Sequence, residues 1–130
     1  MRQKIAAGNW KMNLNHQEGT ELVNSLKTSC PIDGTMVILG VPYPYLKGFV
    51  ESTAEVSGLA IAAQNCHHEH KGAYTGEISI SMLDSIGIKY VIVGHSERRE
   101  YNNETNAIIK IKVDLCIAND MTPIYCCGES

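Results

Sequence analysis

The stretch VIVGHSERRE, residues 91–100, holds two kinds of chemistry in ten positions. Val91, Ile92 and Val93 form an apolar run without alternation, the habit of a strand covered on both faces. Gly94 then leads into His95, Ser96, Glu97, Arg98 and Arg99. A connecting loop needs polarity, but it does not need an imidazole, a carboxylate and two guanidiniums side by side. The stretch predicts a buried parallel strand that ends in a site.

The same pattern recurs along the chain. IAAG from Ile5, MVILGV from Met36, LAIAA from Leu59, YVIVG from Tyr90 and TPIYCC from Thr122 all read as buried strands, and their starts lie 31, 23, 31 and 32 residues apart. Each gap is long enough for a crossover helix. Asn15 and Glu18 predict a capping box, followed by Leu22, Val23 and Leu26 on one face. Leu46, Phe49 and Val50 form a second stripe. Met82, Leu83 and Ile86 form a third, stopped by Gly87. A fourth helix is expected after a cap at Asn102 or Asn103, with Ala107, Ile108, Ile111, Leu115 and Ala118 along its apolar side.

The order is therefore β-α-β-α-β-α-β-α-β. Right-handed crossovers make it part of a closed barrel or half of an open doubly wound sheet. A dinucleotide-binding sheet wants G-x-G-x-x-G after its first strand, and a P-loop wants G-x-x-x-x-G-K-[ST]. The first strand leads into GNWKMN instead, which favours the barrel.

Bulk properties bound the function. The 130 residues are 44% hydrophobic and 19% charged, enough for one domain over residues 1–130 with no internal boundary. A net charge of −3 argues against nucleic acid or an anionic membrane as partner. MRQKIAAGNW has no long apolar run, so neither a signal peptide nor a span is expected. Cys30, Cys66, Cys116, Cys126 and Cys127 are odd in number and lack C-x-x-C spacing, which suggests a reducing, cytoplasmic setting.

Parallel strands gather their ends on one rim, where barrels and open sheets bind ligands. Asn9, Trp10 and Lys11 end the first strand; Gln64 and Asn65 end the third; His95, Ser96 and Glu97 end the fourth; Gly128 and Glu129 end the fifth. One cation, one imidazole, carboxylates and amides suit a small anionic substrate. Lys11 can hold an anion, His95 can exchange a proton with an oxygen, and Glu97 can pair with Lys11. Each also has a plainer reading, as a solvated lysine or a hydrogen-bonded structural histidine. Arg98 and Arg99 read as ion-pair residues. His67, His68 and His70, with Cys66, occupy one short segment without a second ligand pair, so a solvated loop is the better reading than a metal site. Gly72 and Gly76 frame Ala73, Tyr74 and Thr75 in what reads as an ordered, protruding loop.

GNWKMN from Gly8, AQNCHHEHKGAYTGEIS from Ala62, VIVGHSERRE from Val91 and TPIYCCGE from Thr122 together resemble the triosephosphate isomerase family, in its order and at its spacing. The resemblance covers Ile5 to Glu129. It implies a (β/α)8 barrel, of which this chain holds the first five strands and four connecting segments. It implies interconversion of dihydroxyacetone phosphate and glyceraldehyde 3-phosphate without metal or organic cofactor. By matching position, Asn9 and Lys11 would contact the substrate, neutral His95 would polarise its oxygens, Glu97 would hold Lys11, and Ser96 would support the site. A loop carrying Gln64, Asn65, Tyr74, Thr75, Gly76 and Glu77 would reach a second copy in a homodimer.

The chain departs from that family in one large respect. The family's base follows strand six, and its phosphate loops lie later still, whereas this chain ends at Ser130. The expectation is an N-terminal portion that is inactive alone. Two other readings stay open: another barrel enzyme acting on a phosphorylated sugar, or an inactive paralogue that binds a partner through its exposed edge.

Overall fold

A computed structural model describes residues 1–128. Five strands form one sheet: β1 (Lys4–Asn9), β2 (Thr35–Val41), β3 (Leu59–Ala63), β4 (Tyr90–Val93) and β5 (Thr122–Tyr125). Every pair is parallel, and the spatial order is the sequence order. An open doubly wound sheet reverses direction after its first strand and places β1 inside. No reversal occurs here, so the sheet is the first five strands of a (β/α)8 barrel, as expected.

The crossover helices are α1 (His16–Ser29), α2 (Leu46–Thr53), α3 (Ile80–Ser85), α4 (Ser96–Tyr101) and α5 (Asn106–Ala118), with a 3-10 turn at Tyr43–Tyr45. The predicted capping box is present. Glu18 N–H donates to Asn15 Oδ1 at 3.0 Å, and Asn15 N–H donates to Glu18 Oε2 at 2.9 Å. Two N-terminal amides that a helix otherwise leaves unpaired are thereby satisfied.

Side chains alternate between the sheet's two faces. Val37, Leu39, Val41, Leu59, Ile61, Ala63, Val91 and Val93 join one core with Trp10, Val23, Leu46, Phe49, Leu83, Ile109 and Cys116. Their neighbours Ile38, Ala62 and Ile92 are also buried but lie outside that cluster, on the inner face. Gly40 shares this face. A Cβ there would lie 2.6 Å from Ile92 Cδ1, so close packing leaves room only for hydrogen. Cover on both sides explains the unbroken apolar runs of β2, β3 and β4; β1 and β5, also expected to be buried, are largely exposed because they are the two edges of the sheet.

Several helix expectations need correction; Leu22, expected on the apolar face of α1, is 39% exposed. The β4–β5 connection holds two helices, not one. Asn102 and Asn103 do not cap α5; Asn102 closes α4, and the N-cap is Thr105, whose Oγ1 accepts from Ile108 N–H at 3.3 Å. The buried side of α5 is Ile109, Lys112, Leu115 and Cys116, while Ile111 is 44% exposed. Apolar residues surround α5 almost completely, so their period is ambiguous, and a lysine reads as a surface residue. Met82 of α3 is likewise exposed; Ile80 and Leu83 face the core. Glu129, expected on the rim, lies outside the described residues.

Lys112 is only 2% exposed because Glu104 is buried beside it. Glu104 Oε2 accepts from Lys112 Nζ at 3.0 Å and from Arg98 Nε at 2.8 Å, and Lys112 also donates to Asn65 Oδ1 at 2.8 Å. Burial pushes the Glu104 carboxyl up. Hydrogen bonds and charges from Lys112 and Arg98 together outweigh it and hold the group below the ordinary glutamate value. The network ties α5, the end of α4 and the segment after β3 together.

A buried pair and an exposed pair are expected to differ sharply when broken. In the intact gene product, Lys112→Met should cost about 3–5 kcal/mol by stranding a buried carboxylate. Removing the exposed Lys110–Asp114 pair should cost about 0–1 kcal/mol. Glu104 contributes stability above the ordinary glutamate pKa, and loses it as pH falls through its depressed folded value. Denaturant unfolding of both variants and of the parent, at neutral and acid pH, checks this; equal costs for the two lysines would contradict it.

Candidate active site

The rim begins with an anchor. Trp10 is buried, meets Phe49 edge-on at 5.8 Å between ring centres, and donates its backbone N–H to Gly40 O at 2.9 Å. Gly19 passes so close that a Cβ would lie 2.9 Å from the indole. With Trp10 fixed, the chain turns sharply. Lys11 takes φ +55, the left-handed region that non-glycine residues seldom adopt. Its N–H donates to Asn9 Oδ1 at 2.9 Å. The turn aims the lysine back across the strand ends.

His95 arrives from the other side. Gly94 takes φ +74, and a Cβ there would meet Arg99 Nη2 at 3.0 Å and Ile109 at 3.2 Å, so the position demands glycine. His95 is the N-cap of α4: its Nδ1 accepts from Glu97 N–H at 3.1 Å. A nitrogen that accepts carries no proton, so Nε2 holds the ring's hydrogen in this arrangement. Glu97 Oε2 also lies 3.6 Å from Nδ1, too long to compete with that bond.

Lys11 Nζ and Glu97 Oε1 are 2.9 Å apart. Their hydrogen bond, and then the glutamate's charge, raise the Lys11 ammonium above its ordinary value. The same bond holds the Glu97 carboxyl below its own, against a smaller opposing effect of desolvation. Both therefore stay ionised from below the usual carboxylate range to above the usual lysine range.

Asn9, Lys11, Gln64, His95, Glu97 and Tyr101 are among the residues that line one cavity of about 390 Å³. Ser96 is not among them; it lines a separate cavity with Arg99, Tyr125 and Cys126. Arg99 braces that side, donating to Gly94 O, Asn106 Oδ1 and Cys126 O at 2.8, 2.7 and 3.1 Å.

The expected loop divides. Glu69 through Glu77 are exposed, Tyr74, Thr75 and Gly76 among them. Gln64 and Asn65 do not protrude. Asn65 is buried on Lys112, and the Gln64 amide turns into the rim, donating to Lys11 O at 2.8 Å, Gly40 O at 3.1 Å and Asn9 Oδ1 at 3.2 Å. The sequence offered Gln64 both as a strand-end residue on the rim and as the start of the protruding loop; its amide lies on the rim. The neck is closed by His67 N–H to Ile78 O at 2.8 Å, and the His67 ring stacks with His68 and Tyr74. Among the described residues, no three His, Cys, Asp or Glu side chains gather as a metal site.

The parallel barrel sheet carries a cation, an imidazole and a carboxylate together on its C-terminal rim, the face where barrels of this class bind ligands. The comparisons narrow the class. A family model described as triosephosphate isomerase matches residues 4–130. The triosephosphate isomerase of Latilactobacillus sakei is 47% identical over 131 residues, covering 100% of this chain and 52% of the relative. Those of Acetivibrio thermocellus and Flavobacterium psychrophilum are each 48% identical, covering 99% of this chain and 51% and 52% of the relatives. The chain belongs to the triosephosphate isomerase family, and it spans about half the length of the curated relatives it matches.

Carbon NMR of the Glu97 side chain tests the ion pair. Its carboxyl should titrate below the ordinary glutamate range, and Lys11→Met should move it upward. A carboxyl indifferent to that substitution would remove the pair from the site.

Proposed function

We propose that the intact protein interconverts dihydroxyacetone phosphate and D-glyceraldehyde 3-phosphate, by proton transfer through an enediolate, as a cytoplasmic homodimer serving glycolysis and gluconeogenesis. The observation that carries this reading is the meeting of Lys11, paired to Glu97, with His95, whose Nδ1 is occupied as an acceptor, on one rim cavity.

Moving a carbonyl by one carbon needs donors where oxygen gains charge, and a base beside the carbon that loses its proton. His95 Nε2–H is the hydrogen-bond donor that polarises the substrate's oxygens. Lys11 supplies positive charge for the enediolate. The Asn9 carbonyl oxygen already accepts from Lys11 and Gln64, so its NH2 end is the group turned to substrate. Ser96 supports this site only through α4, since its side chain belongs to the neighbouring cavity.

Glu97 is a poor base. Among the described residues it is the one carboxylate lining the cavity, and the bond to Lys11 keeps it ionised but weakly basic. The base therefore belongs to another part of the intact protein. The homodimer reading rests on the exposed Glu69–Glu77 loop, with Tyr74 and Thr75 at its tip, as the element that reaches a second copy.

Two measurements test the reading. Lys11→Met in the intact protein should keep its fold and lose about 2.7–4 kcal/mol of transition-state stabilisation, or about 10²–10³ in turnover; near-normal turnover would displace the site. The purified 130-residue chain should not turn over glyceraldehyde 3-phosphate. Activity within about tenfold of the intact enzyme, a difference of about 1.4 kcal/mol in barrier, lost in Glu97→Gln, would make Glu97 the base instead.

A further inference from the structure

We infer that Gln64 is a positioning residue for Lys11: its amide fixes the backbone from which the lysine reaches across the rim. The inference rests on the reading of Lys11 as the charge-stabilising cation, and deepens it.

The lysine's head and its base are held separately. Glu97 holds the ammonium at 2.9 Å. Yet the side chain is 52% exposed and has four rotatable bonds, so one grip at its tip leaves many paths back to the main chain. Geometry at the tip is fixed only if the origin is fixed as well. That origin is strained, since a non-glycine residue in the left-handed region persists only when its surroundings impose it.

Two hydrogen bonds impose it. Asn9 Oδ1 takes the Lys11 N–H, and Gln64 Nε2 donates to the Lys11 carbonyl at 2.8 Å. The same amide nitrogen reaches Asn9 Oδ1 and Gly40 O. Its two hydrogens thus serve three acceptors, one near the end of β2, one on the last residue of β1 and one in the turn that follows it. Gln64 itself stands at the end of β3. One side chain locks the ends of three strands to the peptide that carries Lys11.

The residue type follows from the task. Asparagine is one methylene short of this span. Glutamate has no hydrogen to give and would face three oxygens. Methionine matches the length without any donor. None of this requires Gln64 to touch substrate, so its effect should pass entirely through Lys11.

The test uses Gln64→Met in the intact gene product. Carbon NMR of Glu97 should show its carboxyl moving up toward the ordinary glutamate range, because the lysine no longer arrives in register. This readout does not depend on turnover, so it stands even if the isomerase reading fails. In kinetics, kcat/KM should fall by about tenfold or more, mostly through kcat, the equivalent of about 1.4 kcal/mol or more. In a Lys11→Met background, Gln64→Met should cause almost no further loss. If the methionine variant does not fold, Gln64→Asn keeps the amide and should give both effects in milder form. An unmoved Glu97 carboxyl, or a loss undiminished in the Lys11→Met background, would overturn the inference.

Discussion

Parallel pairing without a change of direction governs everything else in this chain. Because β1 to β5 all run the same way in their sequence order, all five strand ends open on one side. Residues 31 or more apart in sequence, such as Asn9, Gln64 and His95, become neighbours there without any contact designed for them alone. The side chains then need only local devices: a left-handed turn at Lys11, a histidine cap on α4, an amide reaching back from β3. The same pairing requires helices on the outer face, and these supply the core that holds the strands in register.

Charges are used in two distinct ways. On the rim, Lys11 and Glu97 are half exposed, and their pairing sets direction and ionisation more than stability. Beneath it, Glu104, Lys112 and Arg98 form a network whose two main members are sealed from water. Such a network is poor evidence of net stabilisation, since burying charge is costly. What it does is make separation of its parts expensive. It bolts α5 to the segment after β3, the base of the exposed loop, and so couples the position of that loop to the helix framework.

Much of this was legible in the residues. Unbroken apolar runs located all five strands within a residue or two, although only β2, β3 and β4 are covered on both faces. The capping box on α1 was readable because its chemistry is local. The Lys11–Glu97 approach could be expected once both were placed on one rim. What escaped was whatever depended on a distant partner. Lys112 reads as surface until Glu104 is known to lie beside it, and this error shifted the whole buried side of α5. Thr105 was passed over for Asn102 and Asn103, since asparagine is the stronger cap in isolation. Ser96 was grouped with its neighbours in sequence, but the turn of a helix sends it to a different cavity. Gln64 and Asn65 were read both as strand-end and as loop residues, because the sequence does not show that the exposed part of the loop begins only at Glu69.

A sheet whose spatial order equals its sequence order has a history written into it. Each new strand finds its partner among residues just made, with a loop of about thirty residues to close, at an entropic cost of roughly 3 kcal/mol plus a constant. No strand must wait for a distant segment, so the sheet can be extended unit by unit as the chain leaves the ribosome. The growing edge is always the newest strand, and only the outer edge of β1, with Ile5 exposed on it, goes unanswered throughout. Of these five strands, β1 is thereby the one left longest without a second neighbour.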